Sequence, residues 1–176
     1  MKPRVLVTGG AGFVGSHLVE KLVNQGFQVH LLVKPATHLW RITKFLSSIK
    51  LHQVDLTQKT KLKRAVARIK PDYVFHLATR GSYPSQPDPY DMIDTNIIGT
   101  MNLLAALERI NYKNLVIAGS SSEYGKKLKP MAETDILKPN NYYGATKAAQ
   151  SLLAASRSKA NNKPCVILRF FSVYGP

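Results

Sequence analysis

Short apolar runs alternate with helix-length amphipathic stretches along the chain. Six strand-like runs stand out: Arg4–Thr8, Gln28–Val33, Leu51–Val54, Tyr73–Leu77, Asn114–Ala118 and Cys165–Phe171. Between them the periodicity predicts helices over about 13–25, 39–48, 59–69, 90–109 and 142–160. This order predicts an α/β domain, a doubly wound parallel sheet of about six strands with helices on both faces. No repeat, low-complexity tract or obvious linker interrupts it. Prolines cluster at 84–89 and 130–139 and mark loops after the fourth and fifth strands. In such a sheet, loops at the carboxyl ends of the strands surround the ligand crevice.

Composition narrows the class. The 176 residues suit one well-buried domain, and 44% hydrophobic with 20% charged residues is ordinary for a globular protein. Nothing approaches eighteen consecutive apolar residues, so no transmembrane helix is expected. The start, MKPRVLVTGG, enters a strand at once and leaves no room for a signal peptide. Cys165 is the single cysteine; it excludes an intrachain disulfide, and its apolar run CVILRFF predicts a buried thiol. A cytoplasmic protein is the expectation. The net charge of +15 would suit an anionic partner. The densest basic run, KTKLKRAVARIK at 59–70, also carries Leu62, Val66 and Ile69 at helical spacing. It therefore reads as the wet face of a packed helix. Without zinc-ligand spacing or an aromatic nucleic-acid motif, neither a metal site nor specific nucleic-acid binding is expected.

Three segments carry candidate chemistry. In VLVTGGAGFVGSHL, Gly9, Gly12 and Gly15 give G-x-x-G-x-x-G, and Gly10, Gly12 and Gly15 give G-x-G-x-x-G. The turn follows a predicted strand and opens a predicted helix with Val14, Leu18 and Leu22 on its inner face. Glycines there let a pyrophosphate approach the backbone at a helix amino end, which points to dinucleotide binding. The second strand ends in Val33 and Lys34, where NAD-preferring sites place a carboxylate. Lys34 could pair with a 2′-phosphate, so NADP is favoured and NAD stays open. Tyr143 and Lys147, in YYGATKAAQ, stand four apart on one predicted helix face. A neighbouring ammonium would lower the tyrosine's pKa and fit it for acid–base work. The serines of AGSSSEYG lie where a strand ends and could bond a substrate oxygen.

Taken together, TGGAGFVGSHL, VDL at 54–56, FHLAT at 75–79, NIIGTMNLLAAL at 96–107, SSSEYG, YYGATKAA and RFFSVYGP resemble the extended branch of the short-chain dehydrogenase/reductase superfamily. Within it they are similar to the NAD-dependent epimerase/dehydratase family, which acts on nucleotide sugars. The resemblance implies a Rossmann-type sheet and a nicotinamide cofactor bound by Gly9, Gly12, Phe13, Val14 and Gly15 at the pyrophosphate. It implies Val33 and Lys34 at the adenosine ribose, Asp55 and Leu56 beside the adenine, and Leu77, Ala78 and Thr79 along the cofactor. Lys147 would bond the nicotinamide ribose, and Tyr143 would be the general acid/base. Ser120 would be the active-site hydroxyl, or Ser121 if the loop carries a one-residue gap. The implied chemistry is hydride transfer at a sugar carbon, as an epimerase or keto-sugar reductase. The 4,6-dehydratase alternative is disfavoured because Ser122 holds the usual acid's place, although the same gap would restore Glu123 to it. Asp55 could equally cap a helix, and Asn96 brace the fold.

Two departures matter. Ser172 stands where the family pattern R-x-x-N-V-Y-G-P has asparagine. Relatives continue well beyond Y-G-P, so residues 1–176 are expected to form the cofactor-binding domain, with the substrate domain absent and activity alone in doubt. A homodimer through the helices near 90–109 and 142–160 is implied as well. The competing reading is a non-catalytic cofactor-binding or sensing module.

Overall fold

The computed structural model describes residues 2–83 and 85–175. Pro84, in the first predicted proline loop, and Pro176, at the end of the last motif, lie outside the described residues. Six strands form one parallel sheet: β1 (Arg4–Thr8), β2 (Gln28–Val33), β3 (Lys50–Gln53), β4 (Tyr73–His76), β5 (Asn114–Ser120) and β6 (Cys165–Phe170). Their order across the sheet is β3-β2-β1-β4-β5-β6, with every neighbouring pair parallel. This is the doubly wound parallel sheet expected from the alternation, in the Rossmann-type order that the resemblance implies. Its chain reversal beside β1 opens a crevice at the strands' carboxyl ends.

Strand side chains alternate between two cores. Val5 and Val7 of β1 join Val29, Leu31 and Val33 of β2 under α1 (Phe13–Asn24) and a 3-10 segment (Trp40–Ser48). Leu6, Leu32 and Val74 join Leu115 and Ile117 on the other face. That face is covered by α2 (Lys59–Ile69), α4 (Gly99–Ala106) and α5 (Tyr142–Asn161). In α1 the buried face is Gly15, Ser16, Val19 and Leu22, so Val14 is turned to the crevice instead of the core. In α2, Leu62, Ala65, Val66 and Ile69 are buried while Lys59, Lys61, Lys63, Arg64, Arg68 and Lys70 are exposed, as the pattern predicts. Cys165 is half-buried, and burial pushes its thiol up to about 11.

Two elements differ from expectation. The segment at 39–48 is a 3-10 helix that buries only Ile42, and the Thr43 hydroxyl bonds the Leu39 and Trp40 carbonyls. The helix expected over 90–109 is instead a short α3 (Pro89–Met92), a π turn (Ile93–Ile98) and α4. The π turn puts Asn96 fully inside. Its side chain accepts from Arg80 N at 2.8 Å and donates to Arg80 O and Thr146 Oγ1, each at 2.9 Å. Asn96 thus braces the loop after β4 against α5.

Candidate active site

The crevice holds a cleft of about 880 Å³. At its floor the chain leaves β1 through Gly9, whose φ of +71° is left-handed and whose missing Cβ would lie 2.5 Å from Ala78 N. A Cβ on Gly15 would overlap the Gly9 carbonyl oxygen, so this glycine sets how closely α1 approaches the turn. Gly12 caps α1 with no side-chain hydrogen bond, which leaves first-turn amides and the positive end of the helix dipole for an anion. The bare backbone cradle, the cleft's size and this helix terminus all fit a dinucleotide.

The cleft is lined by Gly9, Gly12, Phe13, Val14, Gly15, Val33, Lys34, Asp55, Leu56, Leu77, Ala78, Thr79, Ser120, Tyr143 and Lys147. Every sequence-predicted position except one is brought together. The exception is the alternative serine, Ser121, which is not among the lining residues. Lys34, expected to stand free for a 2′-phosphate, lies 3.3 Å from the Asp55 carboxylate. Asp55 also accepts from the Thr57 amide and hydroxyl at 2.9 and 2.8 Å. Although burial opposes it, these bonds and Lys34 hold its carboxyl below the usual range.

Ser120 ends β5, buried, with Oγ accepting from Ser122 N at 3.1 Å. Its own amide donates to Glu123 Oε1 at 2.8 Å, closing a capping box. The Glu123 carboxylate, 0% exposed, is also gripped by Arg169 Nε at 2.8 Å. It is absent from the cleft lining. The Glu123 carboxylate is thus tied up inside the fold.

Tyr143 departs from the sequence expectation in one respect. Its phenol is pushed up by burial, against the pull of hydrogen bonds from Ser120 and Thr79, and the Glu123 charge adds to the rise. The i, i+4 spacing does put Tyr143 and Lys147 on one face of α5, but the Lys147 ammonium reaches into the sheet instead. It donates to the Ala118 carbonyl at 2.6 Å and to Gln150 Oε1. Burial lowers Lys147 to about 8, and the Glu123 charge opposes the drop.

Sequence reasoning missed the polar chain behind the cleft. The β1–β4 register sets Thr8 beside His76, whose Nδ1 lies 2.7 Å from Thr8 Oγ1. His76 Nε2 lies 2.8 Å from Thr100 Oγ1, which also receives Gln150 Nε2 at 2.8 Å. The available signal was a set of polar residues at otherwise apolar strand and helix positions, joined only by topology.

A glycine cradle at the β1–α1 junction of a six-stranded parallel sheet, with a Ser–Tyr pair across the cleft, defines a Rossmann-type protein of the nicotinamide-dinucleotide-binding class. The chain belongs to the NAD dependent epimerase/dehydratase family, an enzyme family whose pattern matches residues 5–176. It is 33% identical to a probable UDP-glucuronate 4-epimerase of Rhizobium meliloti, over 98% of this chain and 54% of that protein. Among solved structures it is similar to the UDP-glucose 4-epimerase of Thermotoga maritima with UDP-glucose, with a TM-score of 0.90 and 29% identity. That likeness covers 98% of this chain and 57% of the other. The Thermus thermophilus UDP-glucose 4-epimerase in complex with NAD gives a TM-score of 0.88 at 34% identity, over 98% and 56% of the two chains. The chain spans about half the length of the curated relatives it matches. Among the described residues, no helix is long and apolar enough to cross a membrane.

Proposed function

We propose that this chain is the cofactor-binding domain of a nucleotide-sugar epimerase or keto-sugar reductase, and that residues supplied elsewhere complete the sugar site. The observation that carries the proposal is the convergence of the glycine cradle, Ser120 and Tyr143 on one cleft. Bound there, a nicotinamide would exchange hydride with a sugar carbon. The chain's own residues do the rest. First-turn amides of α1 hold the pyrophosphate, Asp55 and Leu56 border the adenine, and Lys147 bonds the nicotinamide ribose. Ser120 orients the sugar hydroxyl while Tyr143 carries its proton. The buried, Arg169-bound Glu123 weighs against 4,6-dehydration. Retention of Ser120 and Tyr143, whose proposed roles are toward the sugar, weighs against a pure sensor.

For the cofactor, the Lys34 side chain is 63% exposed and can turn from Asp55 to a 2′-phosphate, which supports NADP. Two observations favour NAD: the Asp55 carboxylate beside Lys34, and the NAD complex of the Thermus relative. Lys34→Ala separates the two readings, because it weakens NADPH selectively only if the ammonium reads that phosphate. A homodimer belongs to the same proposal. It is supported by exposed apolar side chains on the helices at 90–109 and 142–160, among them Tyr90, Ile98, Met101, Tyr142 and Leu152. A cytoplasmic setting is part of the same proposal, and the single cysteine, Cys165, is compatible with it. The test of the chemistry is Tyr143→Phe. With the residues that complete the sugar site present, it should abolish sugar turnover and leave cofactor affinity within about twofold; retained turnover removes Tyr143 from its role.

A further inference from the structure

Lys147 is 2% exposed, yet it borders the cleft. An ammonium carries three donors. Two are taken, by the Ala118 carbonyl and by Gln150 Oε1, which leaves one for a hydroxyl in the cleft. The orientation of the Gln150 amide is fixed from behind. Thr100 gives its proton to the Asn96 carbonyl at 2.7 Å, so Thr100 Oγ1 can only accept from side chains. It accepts from Gln150 Nε2 and from His76 Nε2. His76 is thereby assigned as the Nε2–H tautomer, with Nδ1 accepting the Thr8 hydroxyl, and Thr8 Oγ1 in turn accepts Ala78 N–H at 3.3 Å. Burial and the Lys147 charge hold His76 neutral, lowered to about 3. Each link has one role, so Gln150 can turn only its carbonyl oxygen toward Lys147.

We propose that Gln150 is a positioning residue, whose locked side-chain oxygen keeps the buried Lys147 ammonium charged and its remaining donor directed to the cleft. It acts through Lys147 and touches neither cofactor nor sugar. The inference rests on the reading of Lys147 as the ribose-binding residue. The other titratable groups packed near Lys147 are His76 from β4, Glu123 from the turn after β5, and Tyr143 one turn back on α5. Glu123 favours the charged amine and is itself held by Arg169. With a pKa of about 8, Lys147 balances burial against few acceptors, so removing one acceptor tips it towards the neutral amine.

The test is the Lys147 titration by NMR of the lysine side chain in the intact chain, for wild type, Gln150→Leu and Gln150→Glu, alongside the pH midpoint of NADH and NADPH binding. Gln150→Leu deletes an acceptor and should lower the Lys147 midpoint by about one pH unit; Gln150→Glu adds a facing charge and should raise it by about one. Cofactor affinity should fall off at correspondingly lower and higher pH. A residue that merely packed would not shift the two variants in opposite directions. Gln150→Glu keeps the side chain's shape, and Thr100 can turn its proton from the Asn96 carbonyl to the new carboxylate, so its upward shift carries the test even if Gln150→Leu does not fold. Midpoints that stay put, or move together, overturn the inference. If wild type binds neither nucleotide, the reading of the cleft fails, while the NMR titration still decides the role of Gln150.

Discussion

Glu123 is the residue on which the turn after β5 depends. A fully buried carboxylate persists only with partners, and here these are the Ser120 amide and Arg169. Arg169 also donates to the Tyr124 hydroxyl at 3.1 Å, locking the turn to β6. Arg169→Met strands that charge and should destabilise the chain by about 3 kcal/mol in urea unfolding, the typical cost of breaking one side of a buried pair. A loss below about 1 kcal/mol would show that the turn does not rely on Arg169. The sequence put Glu123 beside Tyr124 and left open its use as an acid. Its real partner lies 46 residues away, which no local pattern displays. Gly9, Ser120 and Tyr143 were legible for the opposite reason: a turn, a strand end and a helix start are local features. Lys147 was legible as a position but not in its contacts, because Ala118 and Gln150 meet it only through packing.

At the scale of elements, β2 and β4 each carry a histidine held neutral. Burial comes first for both; the charges of His52, Lys50 and Arg4 add to it at His30, lowered to about 4, and that of Lys147 at His76, lowered to about 3. The unfolded chain takes up these protons near 6.5. It therefore binds more protons than the native state below that pH, and stability must fall as the solution is acidified. The loss should begin near pH 6.5, continue to about 4 for His30 and to about 3 for His76, and approach 1.4 kcal/mol per pH unit for each histidine. Melting temperature against pH measures it, and His30→Gln should flatten the curve between pH 6.5 and 4; an unchanged slope would remove His30 from the account. Strand periodicity located β2 and β4 to within a residue. It missed the break between α3 and α4, because the π turn answers to the buried Asn96 and its bonds to the Arg80 backbone and Thr146. Those partners come from two other elements, and helical spacing in 90–109 holds no trace of them.

At the scale of the whole molecule, two surface features of the described residues bear on what it meets. One is a set of exposed apolar side chains, Ile98 in the π turn, Met101 on α4 and Leu152 on α5. Exposed apolar side chains, where they gather, mark association sites. Light scattering should give twice the 19.5 kDa chain mass, and Met101→Glu should return the single mass; a monomer at high concentration would contradict the dimer. The other is the charge of +15, most densely borne by the outer face of α2. An anionic dinucleotide approaching such a surface is favoured at long range, so its affinity should weaken as salt rises. The parallel sheet, its two covered faces and the crevice follow from the alternation of strands and helices, the largest-scale feature of the sequence; the strand order β3-β2-β1-β4-β5-β6 does not, because the same alternation suits other doubly wound orders.

The central claim is that the crevice above β1 and β4 is a nicotinamide-dinucleotide site. Titration of the chain with NADH and NADPH, followed by nucleotide fluorescence, tests it most directly, with Gly15→Ala as the matched control. Saturable binding is predicted; tighter NADPH would carry the Lys34 reading, and tighter NADH the Asp55 reading. Gly15→Ala should weaken both at least tenfold, because its methyl meets the Gly9 carbonyl and pushes α1 off the turn. Binding of neither nucleotide, or equal binding by wild type and Gly15→Ala, would contradict the account.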